Sequence, residues 1–258
     1  NPKKDKSLDV TAPELRRGYL DDVAVMQTQT HQKKLSNYNR GLKQRNNILA
    51  FAGKNIPADE LSAQLAPWND ILAGEGINVT YGRLKYFEFL QEYAAEMYSR
   101  LTEGAESLKM EYYSSVFKTD SIDFSDVNGL FKKYVAEMEN NLESEMKLHY
   151  TMAGIHRDDV NFFINGMPAR DFASQGQVRS AALSLKLSEA EMIRRRNHTC
   201  PVIILDDILS ELDHVRRNFV INNIDNSQVF ITCCNMDDLS ALKGGKSWRT
   251  ENGSFKEV

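Results

Sequence analysis

The stretch PVIILDD, residues 201–207, sets a short apolar run against two adjacent carboxylates, Asp206 and Asp207, and Asp213 follows soon after. A β-branched run this short reads as a strand buried on both faces. In open α/β sheets, ligands sit beyond the carboxyl ends of the strands, which is where both acids fall. Acids placed there suit nucleotide hydrolysis: one holds Mg²⁺ through its waters while a neighbour orients or deprotonates the attacking water. Strand side chains alternate, so two successive acids are expected to aim in different directions and divide those roles. The plain alternative is a strand that ends in solvated acids, and this stretch alone does not decide between the two.

Two other groups of residues suit anion binding. Ser174-Gln175-Gly176-Gln177 opens a predicted helix, with Ser174 as its N-cap candidate. Free N–H groups and the helix dipole at such a terminus favour phosphate oxygens, although a Gly there more often only shapes a turn. Residues 31–47 contain Lys33, Lys34, Arg40, Lys43 and Arg45 with no acid among them and with Tyr38 interleaved. That patch can neutralise DNA phosphates without regard to sequence, or it is a solvated helix face. The run Arg194-Arg195-Arg196 complements the dipole at a predicted helix C-terminus.

The elements that must position these residues fall into two regions. The first is helical. Apolar spacing predicts helix from 13 to 50 with a break near 30–36. It predicts a second helix over 59–73 stopped by AGEG at 73–76, then a heptad-like seam over 87–101. A strand at Leu108, Met110 and Tyr112 and a helix from Val127 to Met146 follow. After about residue 148 the pattern changes. Asn165-Gly166 between VNFFI and MPARDF signals a type I′ hairpin. The helix from Ser174 to about Arg196, the strand PVIIL, a helix over 213–224 with Asp213 at its start, and the strand QVFIT then form a β-α-β unit.

Composition narrows the class. The 258 residues are 41% apolar and 26% charged, with a net charge of −4, so any nucleic-acid contact must come from local basic patches. No apolar run is long enough for a membrane span, and no signal peptide is evident. Three cysteines without metal-ligand spacing point to a reducing cytoplasm; Cys200, just before the strand, is expected in the core. The chain opens NPKKDK without Met and reads as a fragment.

The order SQGQ, an alanine- and leucine-rich helix, then IILDDILSELD resembles the ABC-type ATPase layout of signature motif, Walker B strand and D-loop. Within that class GIHRDDVNFFINGMPARDFASQGQVRSAALSLKLSEAE strongly resembles the RecF family. PELRRGYLDD, YNRGLKQRNNIL and WNDILAGEGINV resemble that family's helical lobe, so the resemblance runs over roughly residues 13–235. It implies an α/β fold: part of a P-loop ABC-type head carrying the signature helix and Walker B strand, with an inserted, mainly α-helical lobe. Residues 1–148 would form the lobe and 149–258 the C-terminal half of the head. It further implies that Asp206 binds Mg²⁺ and that Asp207 polarises water. Ser174, Gln175, Gly176 and Gln177 would contact the γ-phosphate of ATP held by another subunit, and Ser210 to Asp213 would lie across a dimer interface. Such proteins clamp DNA as ATP-dependent homodimers, turn over slowly, and help load recombinase at gaps with RecR and RecO.

The chain also departs from the pattern. The Walker A loop, G-x-x-x-x-G-K-[ST], is expected upstream of residue 1, so the fragment alone is expected to be inactive. SALKGGKS at 240–247 mimics that loop, but Ser240 replaces its first Gly, and Lys246 reads as a surface lysine. Cys233 stands where ABC ATPases commonly carry a switch His, and Ile155 where the family usually has Pro. HRDD at 156–159 is no kinase loop, because Phe163 takes the place of its Asn and no D-F-G exists. Two other readings stand beside the RecF one. An SMC- or RecN-like head is disfavoured by the short seam at 87–101, and a non-hydrolysing interaction module is favoured by Cys233.

Overall fold

The computed structural model describes residues 12–51, 56–117, 122–209, 212–224, 227–234, 244–251 and 253–257. Helices α1 (Pro13–Gln27) and α2 (Gln29–Phe51) meet at Thr28, ahead of the predicted break at 30–36. Thr28 is extended (φ −154°, ψ 108°), and its hydroxyl lies 3.0 Å from that of Tyr86. Next comes α3 (Ala58–Leu101), a single helix of 44 residues where the sequence predicts two. The predicted stop fails at Gly76, which makes room for a partner, as does Gly82 further along the helix. A Cβ on Gly76 would stand 2.6 Å from the hydroxyl of Tyr134, and one on Gly82 would stand 2.5 Å from Nδ1 of His31. The contacts outweigh the cost of each helical Gly, about 1 kcal/mol. Pro67, also inside α3, is exposed, so water can take the carbonyl that its missing N–H leaves unpaired.

The strand β1 (Leu108–Tyr113) forms as predicted, with Leu108 and Met110 buried and Lys109 and Glu111 exposed. The predicted long helix over 127–146 is split into α4 (Val127–Asn140) and α5 (Leu142–Leu148). At the split, the Asn141 side-chain amide donates to the Glu137 carbonyl at 2.6 Å. β2 (Asp159–Ile164) pairs antiparallel with β1, so one sheet joins residues on both sides of position 148. The chain turns through Asn165 and Gly166, at φ 51° and 77°, into β3 (Met167–Pro168). Two left-handed residues are what a type I′ turn requires. The second limb is only two residues long, because the chain then coils into α6 (Ala169–Phe172).

The helix α7 (Gln175–Asn197) packs against α3. Ser180, Ser184 and Ser188 are buried in it, and each donates its hydroxyl to the carbonyl four residues earlier. The predicted β-α-β unit follows as β4 (Ile203–Asp206), α8 (His214–Asn223) and β5 (Val229–Thr232), with the strands parallel. Leu205 is buried in a cluster with Leu183 and Leu187 of α7 and Val220 and Ile221 of α8. The other face differs from expectation: Ile204 and Phe230 are 68% and 52% exposed. Among the described residues only one face of this sheet is covered. Cys200, expected in the core, is exposed as well, as are Val202 and Ile204 just after it. A terminal hairpin, β6 (Trp248–Glu251) and β7 (Ser254–Glu257), was not anticipated, although Asn252-Gly253 in the sequence is its signal. No helix among the described residues is long and apolar enough to cross a membrane.

The two nearby glycines of α3 give a test. Gly76→Ala must displace the buried Tyr134 ring and is expected to destabilise by about 1–3 kcal/mol. Gly74→Ala, with nothing within 4 Å of its new Cβ, is expected to stabilise by about 0.5–1 kcal/mol. Urea denaturation of both variants reads the difference.

Candidate functional site

Asp206 is the last residue of β4 and lies opposite Thr232, the last of β5. The Thr232 hydroxyl donates to Oδ1 of Asp206 and accepts the backbone N–H of Asp207 at 3.0 Å. That N–H also lies 3.1 Å from the Thr232 carbonyl. One hydroxyl thus fixes both acids, and Thr232 is the residue that sequence reasoning missed. Only its place across the parallel register could have flagged it. Asp207 lies outside the strand, at φ 52°. Its left-handed backbone has left the strand, so strand alternation does not set the directions of the two acids, which corrects the expectation. Non-glycine residues rarely adopt this conformation, and such strain clusters at functional sites. Both carboxylates are exposed.

The acids fit Mg²⁺. That ion takes oxygen ligands and is held by one or two carboxylates, with waters and substrate phosphates completing the set. Among the described residues no three of His, Cys, Asp and Glu converge as a metal set. Asp206, exposed at the strand end, offers a hard oxygen donor of the kind Mg²⁺ takes.

The SQGQ turn opens α7 as predicted. Ser174 Oγ accepts from the Gln177 N–H at 3.2 Å, and Gln177 Oε1 accepts from the Ser174 N–H at 2.9 Å, a complete capping box. Ser174, Gln175 and Gly176 are exposed. Gln177 Nε2 donates to Oε1 of Glu106 at 3.0 Å, a partner that the sequence did not suggest. Asp213 caps α8, accepting the Arg216 N–H at 2.9 Å, and this bond holds its carboxyl below the usual range. Ser210 lies outside the described residues. Cys233, half-buried, follows Thr232. Lys246 is exposed, as expected, and lies 3.4 Å from Glu257.

The basic patch is smaller than its sequence. Lys33, Arg40 and Lys43 are exposed, and Lys34 donates to Asn78 at 2.9 Å. Arg45 must be removed from it: its side chain is 0% exposed, with Nη2 2.7 Å from Oε2 of an equally buried Glu145. Its other nitrogens donate to Asn69 at 2.7 Å and Thr151 at 2.8 Å. Tyr38 is likewise core, not an interleaved surface aromatic.

The HRDD segment is structural. Arg16 pairs with Asp159 through two bonds, at 2.8 and 2.6 Å. Asp158 is buried and accepts from Tyr112 (2.5 Å) and the Ser115 N–H (2.8 Å); burial pushes its carboxyl up. His156 Nε2 lies 3.1 Å from the Thr151 carbonyl, which only accepts. Nε2 therefore carries the proton, and Nδ1 accepts from the Tyr38 hydroxyl at 2.8 Å. Burial pushes the imidazole down to about 4. Gly154, at φ 139°, fits against Tyr38, where a Cβ would lie 2.1 Å from the hydroxyl.

No family model matches the chain. Individual relatives do. DNA replication and repair protein RecF of Clostridioides difficile (strain 630) is 37% identical over 229 residues, covering 89% of this chain and 59% of the relative. RecF of Lactobacillus acidophilus is 33% identical over 255 residues, covering 98% of this chain and 67% of the relative. This chain belongs to the RecF family. The structure of the recombination mediator protein RecF with ATP, described as part of the RecFOR pathway, superposes with a TM-score of 0.82 at 26% identity. All of this chain and 66% of that one are covered. An Smc head from Pyrococcus furiosus (TM-score 0.50, 13% identity) shares the fold alone. The fold is therefore α/β, part of an ABC-type ATPase head with a mainly helical lobe. The chain spans 59% of the length of the C. difficile RecF.

Within this RecF-family lobe, Arg45→Met leaves Glu145 buried without its cation and is expected to cost about 3–5 kcal/mol. Lys43→Met is expected to stay within about 0.5 kcal/mol, and chemical denaturation separates the two. His156 adds a pH dependence. Between its ordinary value of 6.5 and about 4, the unfolded chain binds a proton that the folded chain refuses. That stability is present above pH 6.5 and is lost as pH falls towards 4, by about 3 kcal/mol. His156→Gln is expected to flatten the slope of stability against pH over that window.

Proposed function

We propose that this chain is part of a RecF-type DNA replication and repair ATPase that closes on DNA as an ATP-dependent homodimer and, with RecO and RecR, helps load recombinase at gaps in the cytoplasm. The observation that carries this reading is the exposed acid pair locked by Thr232 at the carboxyl end of a parallel strand, in a chain of the RecF family. Asp206 would hold Mg²⁺ through its waters, and the ion would supply charge neutralisation on the ATP phosphates. Asp207, anchored through its own N–H, orients the attacking water and accepts its proton. Ser174, Gln175, Gly176 and Gln177 present a capped helix terminus to the γ-phosphate of ATP held by the second copy. Asp213 would lie across the same interface. Lys33, Lys34, Arg40 and Lys43 supply charge for DNA phosphates, and the RecF–ATP structure supports ATP as the ligand.

The test uses the complete gene product with DNA present. ATP is expected to double the mass seen by light scattering, and Asp207→Asn is expected to prolong that dimer by blocking hydrolysis. Lys33→Gln with Lys43→Gln is expected to lower the slope of log affinity against log salt by about 1.8. A mass that ignores both ATP and Asp207→Asn overturns the clamp and leaves the non-hydrolysing interaction module, the reading that Cys233 favours.

A further inference from the structure

The capping box that shapes the signature turn depends on which way one amide faces. Gln177 must present Oε1 to the Ser174 N–H. A half-turn of the same amide would set its nitrogen there instead, donor against donor, and open the box. Glu106 forbids that half-turn. Its Oε1 accepts from Gln177 Nε2 at 3.0 Å, and a carboxylate has nothing to donate to the oxygen that a rotated amide would bring.

The carboxylate is itself fixed. Its second oxygen accepts the hydroxyl of Tyr98, in the last turn of α3, at 2.6 Å. The Glu106 backbone N–H lies 3.4 Å from the Thr102 hydroxyl, which lies 3.3 Å from the Glu106 carbonyl. Tyr98 is buried in the core that packs on α3. Glu106 stands in the link between α3 and β1, far in sequence from the turn it braces.

We propose that Glu106 is the positioning residue of the signature turn: it fixes the rotamer of Gln177 and thereby holds Ser174 and the first N–H groups of α7 in the geometry that receives the phosphate. It touches no phosphate itself. The inference rests on the reading of SQGQ as a phosphate-binding turn that acts on a second copy.

The experiment compares Glu106→Ala, Glu106→Gln and Ser174→Arg in the complete gene product. Two quantities are read: binding of a fluorescent ATP analogue to the monomer, and the dissociation constant of the ATP-driven dimer. Glu106→Ala is expected to leave nucleotide binding within about twofold and to weaken the dimer about tenfold, the worth of one lost hydrogen bond. Glu106→Gln keeps an acceptor for Gln177 Nε2 but adds a donor that also tolerates the rotated amide, so it is expected to weaken the dimer by less than Glu106→Ala, about threefold. Ser174→Arg fills the turn and is expected to abolish dimerisation. If Ser174→Arg dimerises normally with ATP, the signature reading fails and the inference with it. If Ser174→Arg fails to dimerise but Glu106→Ala matches the wild type, only the role of Glu106 is overturned. Equal losses in the Ala and Gln variants also overturn it, since the hydrogen bond is then not what matters. Should Glu106→Ala not fold, Tyr98→Phe carries the test: it removes one anchor of the carboxylate, and wild-type dimerisation by that variant counts against the proposal.

Discussion

A guanidinium buried in the middle of a 44-residue helix cannot be left without partners, and Arg83 finds them on other segments. It binds both oxygens of Asp21 in α1 at 2.8 Å and donates to the Ile155 carbonyl, with Asp158 3.7 Å away. Burial alone would raise Asp21, but Arg83 and His31 of α2 hold its carboxyl below the usual range. Three helices and the loop entering β2 therefore converge on one charge. Removing one member of such a cluster strands the others in a low-dielectric interior, at a cost of several kcal/mol. The net gain of such a cluster over a well-packed apolar core is small. The two core clusters lie on either side of the Arg83 cluster: one gathers α1, β1, β2 and α7 around α3, the other α2 and α4.

Local signals were legible in the sequence. The Asn165-Gly166 turn, the Ser174 and Asp213 caps, the β-α-β order and the family resemblance each depend on residues close together in the chain. What the sequence hid depends on partners far away in it. Gly76 reads as a helix stop until Tyr134 is packed against it. Arg45 reads like Lys43 until Asn69, Glu145 and Thr151 close over it. The sequence already excludes HRDD as a kinase loop, but not until its acids bond to Arg16, Tyr112 and Ser115 does its structural role become visible. The candidate site divides in the same way. Its acids and its signature turn were visible as residue types, whereas Thr232 and Glu106, which hold them, carry no motif.

The two halves of the site are built on different supports. The acid pair depends on a two-strand register, with Thr232 brought opposite Asp206 by the pairing of β4 and β5. The signature turn depends on the junction of α3 and β1, where Glu106 sits. The two supports share no residue.

The unbroken course of α3 has a mechanical consequence. At 1.5 Å per residue its 44 residues make a rod of about 66 Å. A rigid tilt of 5° about its midpoint would move each tip by about 3 Å, as far as one hydrogen bond is long. A break at the predicted stop would have hinged such a motion and absorbed it. The glycines at 76 and 82 leave the rod whole and instead seat Tyr134 and His31 against it. Helix α2, which bears the lysines, lies along one stretch of this lever, and Tyr98, the anchor of Glu106, stands near its far tip.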